Sequence, residues 1–267
     1  MKHTHRFSRV LFALAWACLS LARISAHGAT DAPRLESFGA EGGDFRATLS
    51  TGQVLKGADL VGATINMGVK DWRPLNVRID TAERDTQSQA PDVWLFGLSV
   101  VQPDGSTQPF CHPDPDGRNL VIPYPTPGIG QGFALTCSSG AVGKCFRFGY
   151  RPWADAALAR LHAACVRMVR ADYGGDDRPW TRNGMKIDVY DDRGIQRPEE
   201  AQKLPFEAGW TPEGAVCVAH PRVPANGSLA AIVEAEPRLA GRIGPEACTE
   251  EKARALGAVV FNRSAED

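Results

Sequence analysis

Four side chains of metal-binding type fall into two matched pairs. His162 and Cys165 stand three residues apart, and Cys217 and His220 repeat that spacing in reverse order. Imidazole and thiolate suit a tetrahedral zinc ion, so the quartet is a formal zinc candidate. The competing use of both cysteines is disulfide formation, which leaves the histidines incidental. That use is the expectation, with no metal and no cofactor. A denser acidic group comes next: Asp172, Asp176 and Asp177, then Asp188, Asp191 and Asp192. Carboxylates converging on a loop could hold calcium. Their spacing matches no EF-hand, and aspartate is common in turns for its own hydrogen bonds, so solvated turn carboxylates are expected.

Nucleophilic chemistry is harder to assemble. Ser138 and Ser139 lie in CSSGA, which is not a G-x-S-x-G elbow, and a base would have to reach them from His112, His162 or His220. The catalytic residues are therefore unassigned. Tyr150, Trp153, Trp180 and Trp210 could line a binding surface, but large rings dominate burial and the core is the expected place for them.

The elements that would hold these groups can be read around them. Ala154 to Arg170 is the strongest helix, with Leu158, Leu161, Cys165 and Met168 on one apolar stripe and Arg160 and Arg167 expected outside. Tyr173-Gly174-Gly175 should end it, glycine taking the left-handed cap. An Asn183-Gly184 turn then feeds the alternating strand Met185–Tyr190. Upstream, LNVRID and DVWLFGLSVV read as strands, and PDGS turns the chain back toward Cys111. The stretch 112–132 holds five prolines and four glycines and reads as a long irregular loop. A short helix capped by Ser138 or Ser139 follows. Later come the strand Ala215–Ala219, a helix capped by Thr249 and a last strand, Ala258–Phe261. Strands flank a central helical pair without regular βαβ alternation, which is an α+β arrangement.

At the amino end MKHTHRFSR is basic, VLFALAWACLSLA is a 13-residue apolar run, and RISAHGA supplies small residues. This is the pattern of a bacterial secretory signal, with cleavage expected after Gly28. The run falls short of the roughly 20 residues that span a bilayer. A lipoprotein cut before Cys18 is disfavoured, because Trp16 precedes the site and the chain stays apolar beyond it. Residues 1–28 hold four Lys/Arg and no acid, so their removal takes the formal charge from −1 to −5. Such a surface offers nucleic acid no electrostatic footprint, and no stable membrane span remains after cleavage. Cys111, Cys137, Cys145, Cys165, Cys217 and Cys248 remain, an even number for an exported chain, and read as three disulfides. Cys111 with Cys137 would close a loop of about 25 residues and stabilise by about 3 kcal/mol. Cys165 is expected to reach Cys217 or Cys248.

RADYGGDD resembles the namesake motif of the ADYC domain family, exported bacterial proteins to which no activity is assigned. TCSSGAVGKCFRFGYRPW, LHAACVRMVRADYGG, TRNGMKIDVYDDRGI and FEAGWTPEGAVCV are similar to that family's blocks, in its order. Of the motif residues Ala171, Asp172, Tyr173 and Gly174, the last stands where the family has cysteine. The sequence thus predicts a signal peptide (1–28), a loose leader (29–44) and one disulfide-stapled α+β domain (45–267), with a β-rich subdomain over 45–110 as an option. Its function reads as a binding or structural module of unknown partner. The alternative is a secreted hydrolase with a site beneath the 112–132 loop.

Overall fold

Three antiparallel sheets follow one another along the chain in the computed structural model, which describes residues 32–68, 74–114, 117–126 and 132–265. The expected signal segment lies outside the described residues. In the first sheet β1 (Leu35–Glu41), β2 (Asp44–Leu49) and β3 (Val54–Lys56) lie in sequence order. Much of the stretch read as a loose leader is therefore β1, paired with β2 from Leu35↔Leu49 to Glu41↔Asp44. The Gly42-Gly43 that suggested looseness is a two-residue hairpin loop, with Gly42 at φ 63°. Phe38 anchors the strand, its ring 5.3 Å from Phe45 and 5.6 Å from Phe133.

The second sheet holds β4 (Thr64–Met67), β5 (Leu75–Arg84), β6 (Trp94–Val101), β7 (Thr107–Pro109), β8 (Leu120–Pro125) and β9 (Phe133–Cys137). Its order is β4-β5-β6-β8-β9, with β7 also paired to β6. β8 corrects the reading of 112–132 as continuous loop. Backbone groups of Leu120, and by alternation those of Ile122 and Tyr124, face β9, where Ser138 N–H donates to Leu120 O at 2.9 Å. Pro123 and Pro125 face the other way, past the end of the β6 pairing at Val121, where no N–H is required. Phe45, Val77, Ile79, Phe96 and Val121 fill the core of this half.

After α1 (Ala141–Arg147) and α2 (Ala156–Arg170) comes the third sheet. It is built from β10 (Ile187–Asp191), β11 (Phe206–Thr211), β12 (Gly214–Val218) and, beyond α3 (Leu229–Ala235) and α4 (Glu250–Ala255), β13 (Val260–Ser264). Its order is β10-β13-β11-β12. Val189, Trp210, Ala215 and Val260 face α2, whereas Tyr190, Cys217 and Phe261 face α4. The sheet is thus sandwiched between helices, and the α+β class holds.

α2 starts where Asp155 accepts the N–H of Leu158 at 2.8 Å. Leu161, Cys165 and Met168 are buried on its stripe, Leu158 is half-buried at its edge, and Arg160 is exposed. Arg167 departs from the expectation: it is half-buried and ion-paired. The serine cap expected for α1 is also absent, since its N-cap is Gly140 and Ser138 is buried. Thr249 does cap α4, accepting from Lys252 N–H at 3.3 Å.

All six cysteines expected to pair do so: Cys111–Cys137, Cys145–Cys165 and Cys217–Cys248. The first is the expected bridge. The expectation that Cys165 reaches Cys217 or Cys248 is wrong, for a geometric reason. α1 packs on α2 and brings Cys145 to Cys165, while Cys217 points to the face of the sheet opposite α2.

Candidate functional site

The residues Ala171, Asp172, Tyr173 and Gly174 form a knot at the end of α2. Ala171 itself takes the left-handed cap, at φ 48°, in place of the glycine that was expected. Asp172 is fully buried, and its carboxylate accepts the N–H groups of Gly175 (2.8 Å), Asp176 (3.1 Å) and Asp177 (3.0 Å). Arg167 Nη1 closes the loop, 2.6 Å from Asp172 and 2.7 Å from Asp177. Tyr173 plunges inward and stacks on Trp210 at 5.4 Å, while its backbone carbonyl receives Ala215 N–H from β12. Gly175, at φ 78°, lies so near β12 that a Cβ would stand 2.2 Å from Glu213 O. At Gly174 a Cβ would meet the Glu236 carboxylate at 2.5 Å, so acidic side-chain atoms occupy the space that the family's cysteine would need. Arg238 straps the motif from outside, donating to Tyr173 O at 2.9 Å and Ala215 O at 2.7 Å.

Beneath the motif lies a wholly buried ion pair. Arg222 donates from Nε to Glu207 Oε2 at 2.9 Å and from Nη2 to Oε1 at 3.0 Å. The same guanidinium caps the last carbonyls of α2, Met168 O at 2.8 Å and Val169 O at 3.1 Å. Tyr173 Oη–H donates a hydrogen bond to Glu207 Oε1 at 3.1 Å, and Oη accepts Arg222 N–H at 2.9 Å. Asn262 completes the carboxylate's shell at 2.6 Å and accepts Trp210 Nε1–H at 2.8 Å. Burial pushes the Glu207 carboxyl up, but the charge and hydrogen bonds of Arg222 outweigh it and hold the group below its ordinary range. Burial, with the Glu207 charge beside it, pushes the Tyr173 phenol well above its usual value, so it stays protonated. Sequence reasoning missed this system, because the partners come from distant strands and carry no shared spacing. The only clue was a charged residue inside each of the apolar runs around Ala208 and Val218.

The groups singled out for chemistry do not converge. Cys165 and Cys217 are spent in separate disulfides on opposite faces of the sheet, which removes the zinc quartet. The aspartates are not the solvated cluster that was expected: Asp172, Asp188 and Asp191 are buried. Asp191 accepts from the N–H groups of Arg193, Ile195 and Gln196 and from Tyr150 Oη at 3.0 Å, and Asp188 accepts from Glu199 N–H at 3.1 Å. Among the described residues no group of His, Cys, Asp and Glu could hold a metal ion. His162 Nε2 lies 3.3 Å from Val142 O, and its ring stacks on Phe146 at 4.6 Å. Burial pushes this imidazole down to about 4, which makes it neutral at physiological pH. His220 is buried 3.3 Å from Pro221 O, and His112 is exposed. Of the four aromatics, Tyr150 and Trp210 are core, while Trp153 and Trp180 are half-buried.

Among the open clefts of the described residues, two lie beside the groups named above. One, of about 740 Å³, lies against the first sheet beside Gly132 and Phe133 and is walled by Phe38, Leu55, Leu60, Ile65 and Met67. Among the described residues no histidine, serine, cysteine or carboxylate lines it. The other, of about 450 Å³, lies where α1 begins, α2 ends and the Asn183-Gly184 turn projects. Lys144, Arg170, Arg182 and Arg222 line it together with Ser139, and no aspartate or glutamate does.

The architecture defines a class, a disulfide-stapled α+β domain in which Ala171, Asp172 and Tyr173 are buried. More narrowly, the chain belongs to the ADYC domain family, whose model matches residues 57–224. The match includes both central helices, the motif and Arg222, and ends before α3, α4 and β13. No curated protein and no solved structure matches the chain.

Proposed function

We propose that this chain is an exported binding module, cleaved after the signal expected at 1–28 and folded as one domain that takes in β1 as well as 45–267. The observation that carries the reading is how this chain's reactive groups are used. Asp172, Tyr173, Glu207 and Arg222 satisfy one another or the backbone, the six cysteines are oxidised, and His162 is held neutral under Val142. Among the described residues only two of these groups line a cleft: Arg222, whose charge Glu207 matches, and Cys248, which is held in a disulfide. Three disulfides suit an oxidising compartment, and no described helix is long and apolar enough to cross a membrane. The hydrolase alternative needs a pocket that joins His162 or His220 to Ser138, Ser139 or an aspartate; His220 lines a small cleft with Thr249 and Glu250 but with no serine or aspartate among the described residues. Ser139 opens into a cleft without histidine, and Ser138 is buried.

The test is a screen of the mature chain from an oxidising compartment against ester, amide and glycoside substrates, alongside thermal-shift titration with small ligands. The expected result is a saturable rise in midpoint for one ligand class with no product formed. Turnover that is lost in Ser139→Ala or His162→Gln would overturn the reading in favour of the hydrolase.

A further inference from the structure

We propose that the cleft between α1, the end of α2 and the Asn183-Gly184 turn binds a small organic anion: a carboxylate, sulfate or phosphate ester on an apolar body. This rests on the binding-module reading and names its ligand class. The cleft is cationic on a chain whose formal net charge is −1, and no carboxylate lines it. Lys144 is exposed, with no ion-pair partner among the described residues. Arg170 gives one nitrogen to the backbone carbonyl of Asp177 and no ion pair to any described carboxylate, and its Nε is buried without a hydrogen-bond partner. The guanidinium thus keeps its charge unpaired at the wall of the cleft, where an anionic oxygen is its natural complement.

The end of α2 carries partial negative charge that would repel an anion. Met168 O and Val169 O are instead covered by Arg222, and Arg170 O accepts Trp180 N–H at 3.2 Å. Arg222 itself is neutralised by Glu207, so Lys144 and Arg170 carry the uncompensated charge. Phe148, Val169, Met185 and Ile187 supply apolar wall beside those cations, and Ser139, Thr181 and Asn183 supply short hydrogen-bonding groups. A volume of about 450 Å³ is that of a small-molecule site. The ligand is therefore an anionic head with a short hydrocarbon or aromatic body.

Calorimetric titration of the mature, oxidised chain with octyl sulfate, octyl phosphate and octanoate, below their micellar concentrations, tests this. Inorganic sulfate and neutral octyl glucoside serve as the two half-ligands. At least one octyl anion should bind saturably, ten or more times tighter than either half-ligand, and weaken as salt is raised. Lys144→Gln and Arg170→Gln should each reduce that affinity about tenfold, and Arg170→Lys should retain part of it, with thermal midpoints compared to confirm folding. Octyl glucoside binding as tightly as the anions, or anion affinity unchanged in both glutamine variants, would overturn the proposal. Saturable binding of neutral ligands alone would sink it while leaving the binding-module reading intact; ester turnover lost in Ser139→Ala would sink the module reading itself.

Discussion

Replacing Asp172 by alanine should destabilise the fold by about 2–4 kcal/mol. The carboxylate holds three backbone N–H groups and Arg167 Nη1, and hydrogen bonds to a charged group are worth about 1.5–3 kcal/mol each. The full sum does not apply. Asp176 and Asp177 are exposed, so water can replace the acceptor for their N–H groups, and Arg167 retains Asp177 at 2.7 Å. What is lost outright is the bond from Gly175, the buried ion pair and the packing of a fully buried side chain. An asparagine side chain keeps the volume and one acceptor, so Asp172→Asn should cost about half as much. Equilibrium urea unfolding with disulfides intact measures both; with a slope of about 2–3 kcal/mol per molar, the alanine midpoint should fall by about 1 M. A change below about 0.5 kcal/mol in the alanine variant would refute the view that this aspartate pins the turn.

Leu161, 2 % exposed on the α2 stripe, should cost about 2–5 kcal/mol when cut to alanine, measured in the same way; a loss near zero would mean the stripe faces no core. His162 predicts a pH dependence. Its native value near 4 lies below the ordinary 6.5, so above about pH 6.5 its contribution is complete, and as pH falls toward 4 the unfolded chain binds a proton that the native chain refuses. Stability should decline by up to about 3 kcal/mol across that window, and His162→Gln should flatten the slope there. Unfolding midpoints collected between pH 7 and 4.5 check it, and parallel curves for the two proteins would count against it.

The elements that were legible in the sequence are those whose side chains repeat. The α2 stripe, β5, β6, the Asn183-Gly184 turn and the Thr249 cap each follow from local periodicity or a single capping oxygen. β8 was not legible, because prolines are permitted in a strand only where its neighbour has ended, and that is a property of β6 rather than of Leu120–Pro125. The left-handed cap at Ala171 was hidden because glycine seemed required, yet Asp172 and Arg167 over-determine the turn and Gly175 is needed for its contact with β12. Cysteine pairing depended on the face to which Cys217 points, which a bulge between Gly209 and Trp210 helps to set. The cationic cleft joins residues from Ser139 to Arg222, a span over which no spacing rule operates.

The central claim is a division of labour in which the motif builds the domain and the neighbouring cleft binds. Comparing octyl sulfate affinity in Tyr173→Phe and in the Lys144→Gln/Arg170→Gln double variant tests it most directly. Tyr173→Phe removes a hydroxyl buried between Glu207 and Arg222, so it should lower stability by about 1–3 kcal/mol yet bind octyl sulfate within about twofold of the parent. The double variant loses the hydrogen bond from Arg170 to Asp177 O, so it should be destabilised by no more than about 1 kcal/mol while its affinity falls by tenfold or more. Loss of binding in Tyr173→Phe while folded, with affinity retained in the double variant, would contradict the account.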